Sequence, residues 1–93
     1  MHKIGEWQIE QFKTTGLPQK VQSAFTDVTS EITGADYQPV LYLGHQLVNG
    51  VNHCILCVKR PVTPDAECSL VKFILNIDTT DKASLVSVSK FML

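Results

Sequence analysis

Four side chains in one short stretch could do chemistry. Cys54-Ile55-Leu56-Cys57 has the C-x-x-C spacing used by zinc sites and by redox dithiols, and His45 and His53 precede it. The surrounding residues read as strand. Residues three apart on a strand point to opposite faces, so the two thiols could share neither a metal nor a disulfide without breaking it. Small buried hydrophobes are the competing reading of both cysteines. If His45 lies across from Cys54, an imidazole stands beside a thiol. Cys–His catalysis needs in addition a group that orients the ring and an oxyanion site. No Asp, Asn or Glu is placed by sequence to do the orienting. There is no glycine-rich phosphate loop, no H-E-x-x-H and no G-x-S-x-G. The expectation is a protein that is not an enzyme and has no metal and no cofactor.

The elements that position these residues follow from periodicity. Val21, Ala24, Phe25, Val28 and Ile32 form one stripe of a helix over 18–33, with Pro18 in its first turn and Gly34 as its cap. Residues 37–48 and 51–60 are rich in β-branched, aromatic and leucine side chains. The Asn49-Gly50 between them is a strong hairpin signal. A two-residue turn there pairs Val48 with Val51, His45 with Cys54, Leu43 with Leu56 and Leu41 with Val58. The spacing then predicts that this apolar face meets the helix, while Gln46, His53, Ile55, Tyr42 and Cys57 lie on the other. A longer turn would exchange the faces. Strands follow over 68–77, with Val71, Phe73, Leu75 and Ile77 on one face, and over 83–92, with a turn at 78–81 between them. Residues 4–13 form an extended segment. Its Trp7, the only tryptophan, is either tucked against the sheet or offered to a partner.

This order predicts an α+β fold: one helix packed across a four- to five-stranded antiparallel sheet, in a single domain over residues 1–93. A length of 93 residues supports one modest core and excludes separate cofactor and substrate lobes. Eight basic against nine acidic side chains leave a formal charge of −1, and the longest basic run is Lys59-Arg60. That balance lacks the basic footprint of nucleic-acid binding. No apolar run approaches the ~20 residues that cross a bilayer, and the opening residues lack the apolar core of a secretory signal. Three cysteines are too few and odd in number for a disulfide framework, so free thiols and a cytoplasmic location are expected. Neither nucleic acid nor membrane is an expected partner.

Within the hairpin, Gln46-Leu47-Val48-Asn49-Gly50 resembles Q-x-V-x-G, the first-hairpin motif of the cystatin family of cysteine-protease inhibitors. The helix-then-meander order and the following strand Val51–Val58 are also similar, and the absence of disulfides looks most like the stefin branch. The resemblance implies a cystatin-like fold and reversible inhibition of papain-like cysteine proteases by a wedge that occludes the active site. On the matching positions it implies that Gln46, Leu47, Val48, Asn49 and Gly50 contact the protease. Gly5 would be the N-terminal glycine, and Thr79, Thr80 and Asp81 the second hairpin. The Pro-Trp pair that many cystatins present at that second hairpin is absent here. Asn49-Gly50 also reads as nothing more than a tight turn. The rival function is a non-inhibitory protein-binding or self-assembly module on the same fold, docking through an open sheet face or an edge strand, with a homodimer among its forms.

Overall fold

A computed structural model describes residues 5–9 and 16–92. The extended segment falls partly within them: a short strand β1 spans Trp7–Ile9, and Ile4 and Phe12 lie outside the described residues. Helix α1 spans Gln19–Ser30, followed by β2 (Ala35–Val48), β3 (Gly50–Pro61), β4 (Ser69–Ile77) and β5 (Ala83–Met92). The strands form one antiparallel sheet in the order β1-β2-β3-β4-β5, so each neighbours the next in sequence and α1 is the excursion between β1 and β2. This is the α+β arrangement expected, one helix packed on an antiparallel sheet of five strands.

The helix is shorter than the expected span 18–33 at both ends. Pro18 is its N-cap residue, in an extended conformation (ψ 144°), rather than part of the first turn. Its carbonyl accepts the first helical bond, from the Gln22 N–H at 2.8 Å. The C-cap is Glu31 in a right-handed conformation, so Gly34 ends the connection and not the helix. Val21, Ala24, Phe25 and Val28 are buried, as their spacing requires, and Ile32 packs at the margin of the core.

The core lies between α1 and one face of β3 and β4. Ile55, Cys57, Phe73 and Leu75 are fully buried there. The Phe73 ring meets Phe25 edge-on at 5.0 Å and Tyr37 at 5.3 Å, tying the helix and β2 to the centre of the sheet. The expected face of β4 (Val71, Phe73, Leu75, Ile77) is the buried one.

The register of the first hairpin differs from expectation. Val48 pairs with Gly50, leaving Asn49 alone at the tip. That one-residue difference places His45 across from His53 and Gly44 across from Cys54. Two further shifts follow, between Tyr42 and Gly44 and between Pro39 and Leu41. Pro39 cannot donate to a ladder, and a bulge tolerates it. At the other shift, a Cβ on Gly44 would collide with the Gln8 carbonyl oxygen, so only glycine lets β1 approach. The faces are exchanged in consequence. Ile55 and Cys57 meet the helix because they pair with Phe73 and Val71, whereas Leu56 and Val58 sit on the open face across from Lys72 and Leu70. Among the described residues no helix is long and apolar enough to cross a membrane.

Candidate functional site

Three segments far apart in sequence meet at one end of the sheet and form a single edge of the molecule. The first is the tip of the β2–β3 hairpin. Leu47 is half-buried, Val48 is 39% exposed and Asn49 is exposed. Gln46, half-buried, lies directly across from Asn52. The second is Gly5, which docks on this tip through both of its polar backbone groups. Its N–H donates to the Leu47 carbonyl at 2.5 Å, and its carbonyl accepts from Gln46 Nε2 at 2.8 Å. The third is the turn Asp78–Lys82. It abuts Gly50, whose absent Cβ would otherwise strike the Ile77 carbonyl oxygen and stand 2.7 Å from Asp78 Cα. Gly50 also has a left-handed φ of +88°. Its lack of a side chain is therefore required inside the molecule, for one hairpin to approach the other. All nine candidate residues, Gly5, Gln46, Leu47, Val48, Asn49, Gly50, Thr79, Thr80 and Asp81, lie in these three segments.

The second turn is organised by a carboxylate that the motif did not point to. One oxygen of Asp78 accepts from Thr80 Oγ1 at 2.6 Å, from the Thr80 N–H at 2.8 Å and from the Lys82 N–H at 3.0 Å. The Thr80 hydroxyl bond, then the two backbone N–H bonds, hold the Asp78 carboxyl below its ordinary pKa. Thr79, Thr80 and Asp81 remain exposed. Asp81 adopts a left-handed φ of 67° and pairs with Lys20 at 2.7 Å. With both side chains open to water, that ion pair adds little stability; it joins the first turn of α1 to the second hairpin.

On the helix side of the edge lies an open groove of about 520 Å³, lined among others by Lys20, Val48, Val51, His53 and Asp78. His53 forms part of its floor, with Nδ1 2.8 Å from the Tyr42 hydroxyl. Burial, then the nearby His45 and Lys20, push the His53 pKa down to about 4. The ring is therefore neutral near pH 7, and its Nδ1 can accept the Tyr42 proton.

The geometry argues against chemistry at the C-x-x-C. Cys54 and Cys57 are both buried and pair with Ile74 and Val71, on opposite faces of the sheet. Burial, then the neighbouring Cys54, raises the Cys57 thiol to about 12, and burial raises Cys54 as well. Neither is a thiolate at neutral pH. His45 is not across from Cys54, and adjacent strand positions place the two on opposite faces. Among the described residues no cluster of three His, Cys, Asp or Glu side chains could hold a metal.

Two further residues complete the edge. Asn76 Nδ2 donates to Asn52 Oδ1 at 2.9 Å, and Asn52 Nδ2 donates to Gln46 Oε1 at 3.1 Å. Sequence reasoning passed over both asparagines. Their signal was composition: asparagine is depleted in strands, yet Asn52 lies near the start of β3 and Asn76 near the end of β4. No family model, no curated protein and no solved structure matches this chain.

Proposed function

We propose that this protein is a cystatin-like reversible inhibitor of papain-type cysteine proteases, acting by occlusion of the active-site cleft. One observation carries the reading: Gly5, the 46–50 hairpin tip and the 78–82 turn converge on a single edge through direct contacts. Val48 and Asn49 project from the front of that edge and form its wedge. Gly5 and the second turn flank them. A tip built from a tight hairpin braced by a second hairpin loses little conformational entropy on docking, so contact area converts efficiently into affinity. Because the wedge offers no bond in an extended, cleavable strand, it blocks the catalytic cysteine without being turned over. The second turn supplies hydrogen-bonding and charged groups rather than an aromatic anchor. A cytoplasmic location accompanies this reading, supported by the free state of Cys54, Cys57 and Cys68.

The test is titration of papain with the purified protein. Stoichiometric, reversible inhibition is expected, with Val48→Asp weakening it at least about thirtyfold at unchanged circular dichroism. Absence of inhibition at micromolar protein rejects the proposal. Gly50→Arg is a poor probe, because its side chain would first break the packing of the two hairpins.

The rival reading, an assembly module, draws support from β5. This ten-residue edge strand leaves Leu85, Val86 and Phe91 45%, 50% and 52% exposed. A mass that rises with concentration in light scattering, together with inert behaviour toward papain, would favour it.

A further inference from the structure

The three amide side chains behind the edge are all oriented one way. Asn76 on β4 donates to Asn52 on β3, Asn52 donates to Gln46 on β2, and Gln46 donates to the carbonyl of Gly5. Direct cross-strand pairing of Asn76 with Asn52, and of Asn52 with Gln46, puts all three on the open face, away from the helix. Asn76 Nδ2 also lies 3.4 Å from the Asn49 carbonyl at the hairpin tip. Asn52 and Gln46 each accept through the amide oxygen and donate through the nitrogen, so the direction of each of their links is set by the one before it. Such chains strengthen cooperatively.

We infer that Asn52 and Asn76 are positioning residues: they fix the orientation of the Gln46 amide, and through it hold the Gly5 segment at a set position beside the hairpin tip. Gly5 leads into β1, whose Trp7 pairs with Gln46, and its N–H is held by the Leu47 carbonyl. The relay from β4 holds its remaining polar group, the carbonyl, and so sets its orientation beside Val48. The inference deepens the inhibitor reading, since it names what determines the shape of the wedge. It also stands without it, since the docking of Gly5 can be measured with no protease present.

The discriminating variant is Asn52→Asp, which keeps the size of the side chain. The new carboxylate still accepts from Asn76 but has no N–H to donate. Gln46 then turns to offer its own N–H groups to that carboxylate, which brings Oε1 against the Gly5 carbonyl, acceptor facing acceptor. Asn52→Leu removes the donor to Gln46 together with the acceptor of Asn76, but leaves Gln46 free to keep its bond to Gly5. The readout is amide hydrogen exchange of Gly5 in the full-length chain, with the Val62 amide as reference, since it donates to the Gly34 carbonyl at the far end of the sheet. Asn52→Asp is expected to speed Gly5 exchange about tenfold, and Asn52→Leu by clearly less. The Val62 amide should be unchanged in both. Unaltered Gly5 exchange, an equal effect of the two variants, or a parallel rise at Val62 would each overturn the inference. With papain, Asn52→Asp should dissociate about tenfold faster than the wild type. If the exchange pattern holds while papain is not inhibited at all, the positioning role stands and the inhibitor reading fails.

Discussion

Gly50 and Asp78 stand back to back: a Cβ on Gly50 would lie 2.7 Å from Asp78 Cα, closer than folded proteins tolerate. The first hairpin tip and the second hairpin turn are therefore packed backbone to backbone. This contact, rather than a solvent-facing need, accounts for glycine at the last position of the Gln46–Gly50 motif.

Gly50→Ala should accordingly destabilise the fold by about 2–3 kcal/mol, combining the cost of a left-handed alanine with displacement of the Ile77–Asp78 backbone. Urea denaturation followed by circular dichroism measures it. An alanine variant as stable as the wild type would mean that the hairpins pack apart.

Phe73 is the keystone of the core, fully buried between Phe25 and Tyr37. Phe73→Ala should cost about 3–5 kcal/mol, a large fraction of what a domain of this size has. Calorimetry or a denaturant midpoint should register it, and Val86→Ala, half exposed on β5, should change stability by far less.

His53 makes the fold acid-sensitive on its own account. Its folded pKa is pushed down to about 4 from an ordinary 6.5, chiefly by burial. Between those values the unfolded chain binds a proton that the folded chain refuses. Its stabilising contribution is complete above pH 6.5 and is lost as pH falls toward 4. Denaturant midpoints measured across that range should decline in the wild type. In His53→Phe, which also forgoes the Tyr42 bond, the decline should flatten.

Asp78 acts in a lower window. Its folded pKa lies below the ordinary 3.8, so its contribution is present above that value and disappears as pH drops through the folded pKa. Asp78→Asn should loosen the second turn at neutral pH, with the Thr80 and Lys82 amides exchanging faster. The same substitution should have little effect once the wild-type carboxyl is protonated.

The three cysteines should differ sharply toward a thiol reagent. Cys68 is exposed, Cys54 and Cys57 are buried, and the Cys57 thiol is raised to about 12. At pH 8 one equivalent should react at once, with Cys57 modified only at the rate of unfolding. Rapid reaction of all three would contradict the packing of β3 against the helix.

Much of this architecture was legible in one dimension. The stripe Val21, Ala24, Phe25, Val28 demanded a helix, and the alternation of Val71, Phe73, Leu75 and Ile77 demanded a strand with one dry face. Both hold because burial on a regular element imposes a period on the sequence. The faces of β2 and β3 were not legible. Leu56 and Val58 are as apolar as Ile55 and Cys57, so hydrophobicity alone could not choose between the two sets. A one-residue tip at Asn49 and two shifts near Pro39 and Gly44 made the choice, and β4 enforced it.

The candidate edge divides in the same way. Its members could be named from local signals: a Q-x-V-x-G string, a glycine before the first apolar segment, and an Asp-Thr-Thr-Asp turn. By itself the amino-acid order determined which elements form and where they reverse, because propensity, periodicity and turn chemistry act over a few neighbouring residues. Only the tertiary structure decided that Gly5 hangs from Gln46, that Gly50 makes room for Asp78, and that Asn52 and Asn76 line up behind them. Those relationships join residues 24 to 41 positions apart, and hydrogen-bond direction and close backbone packing exist only once the strands are side by side.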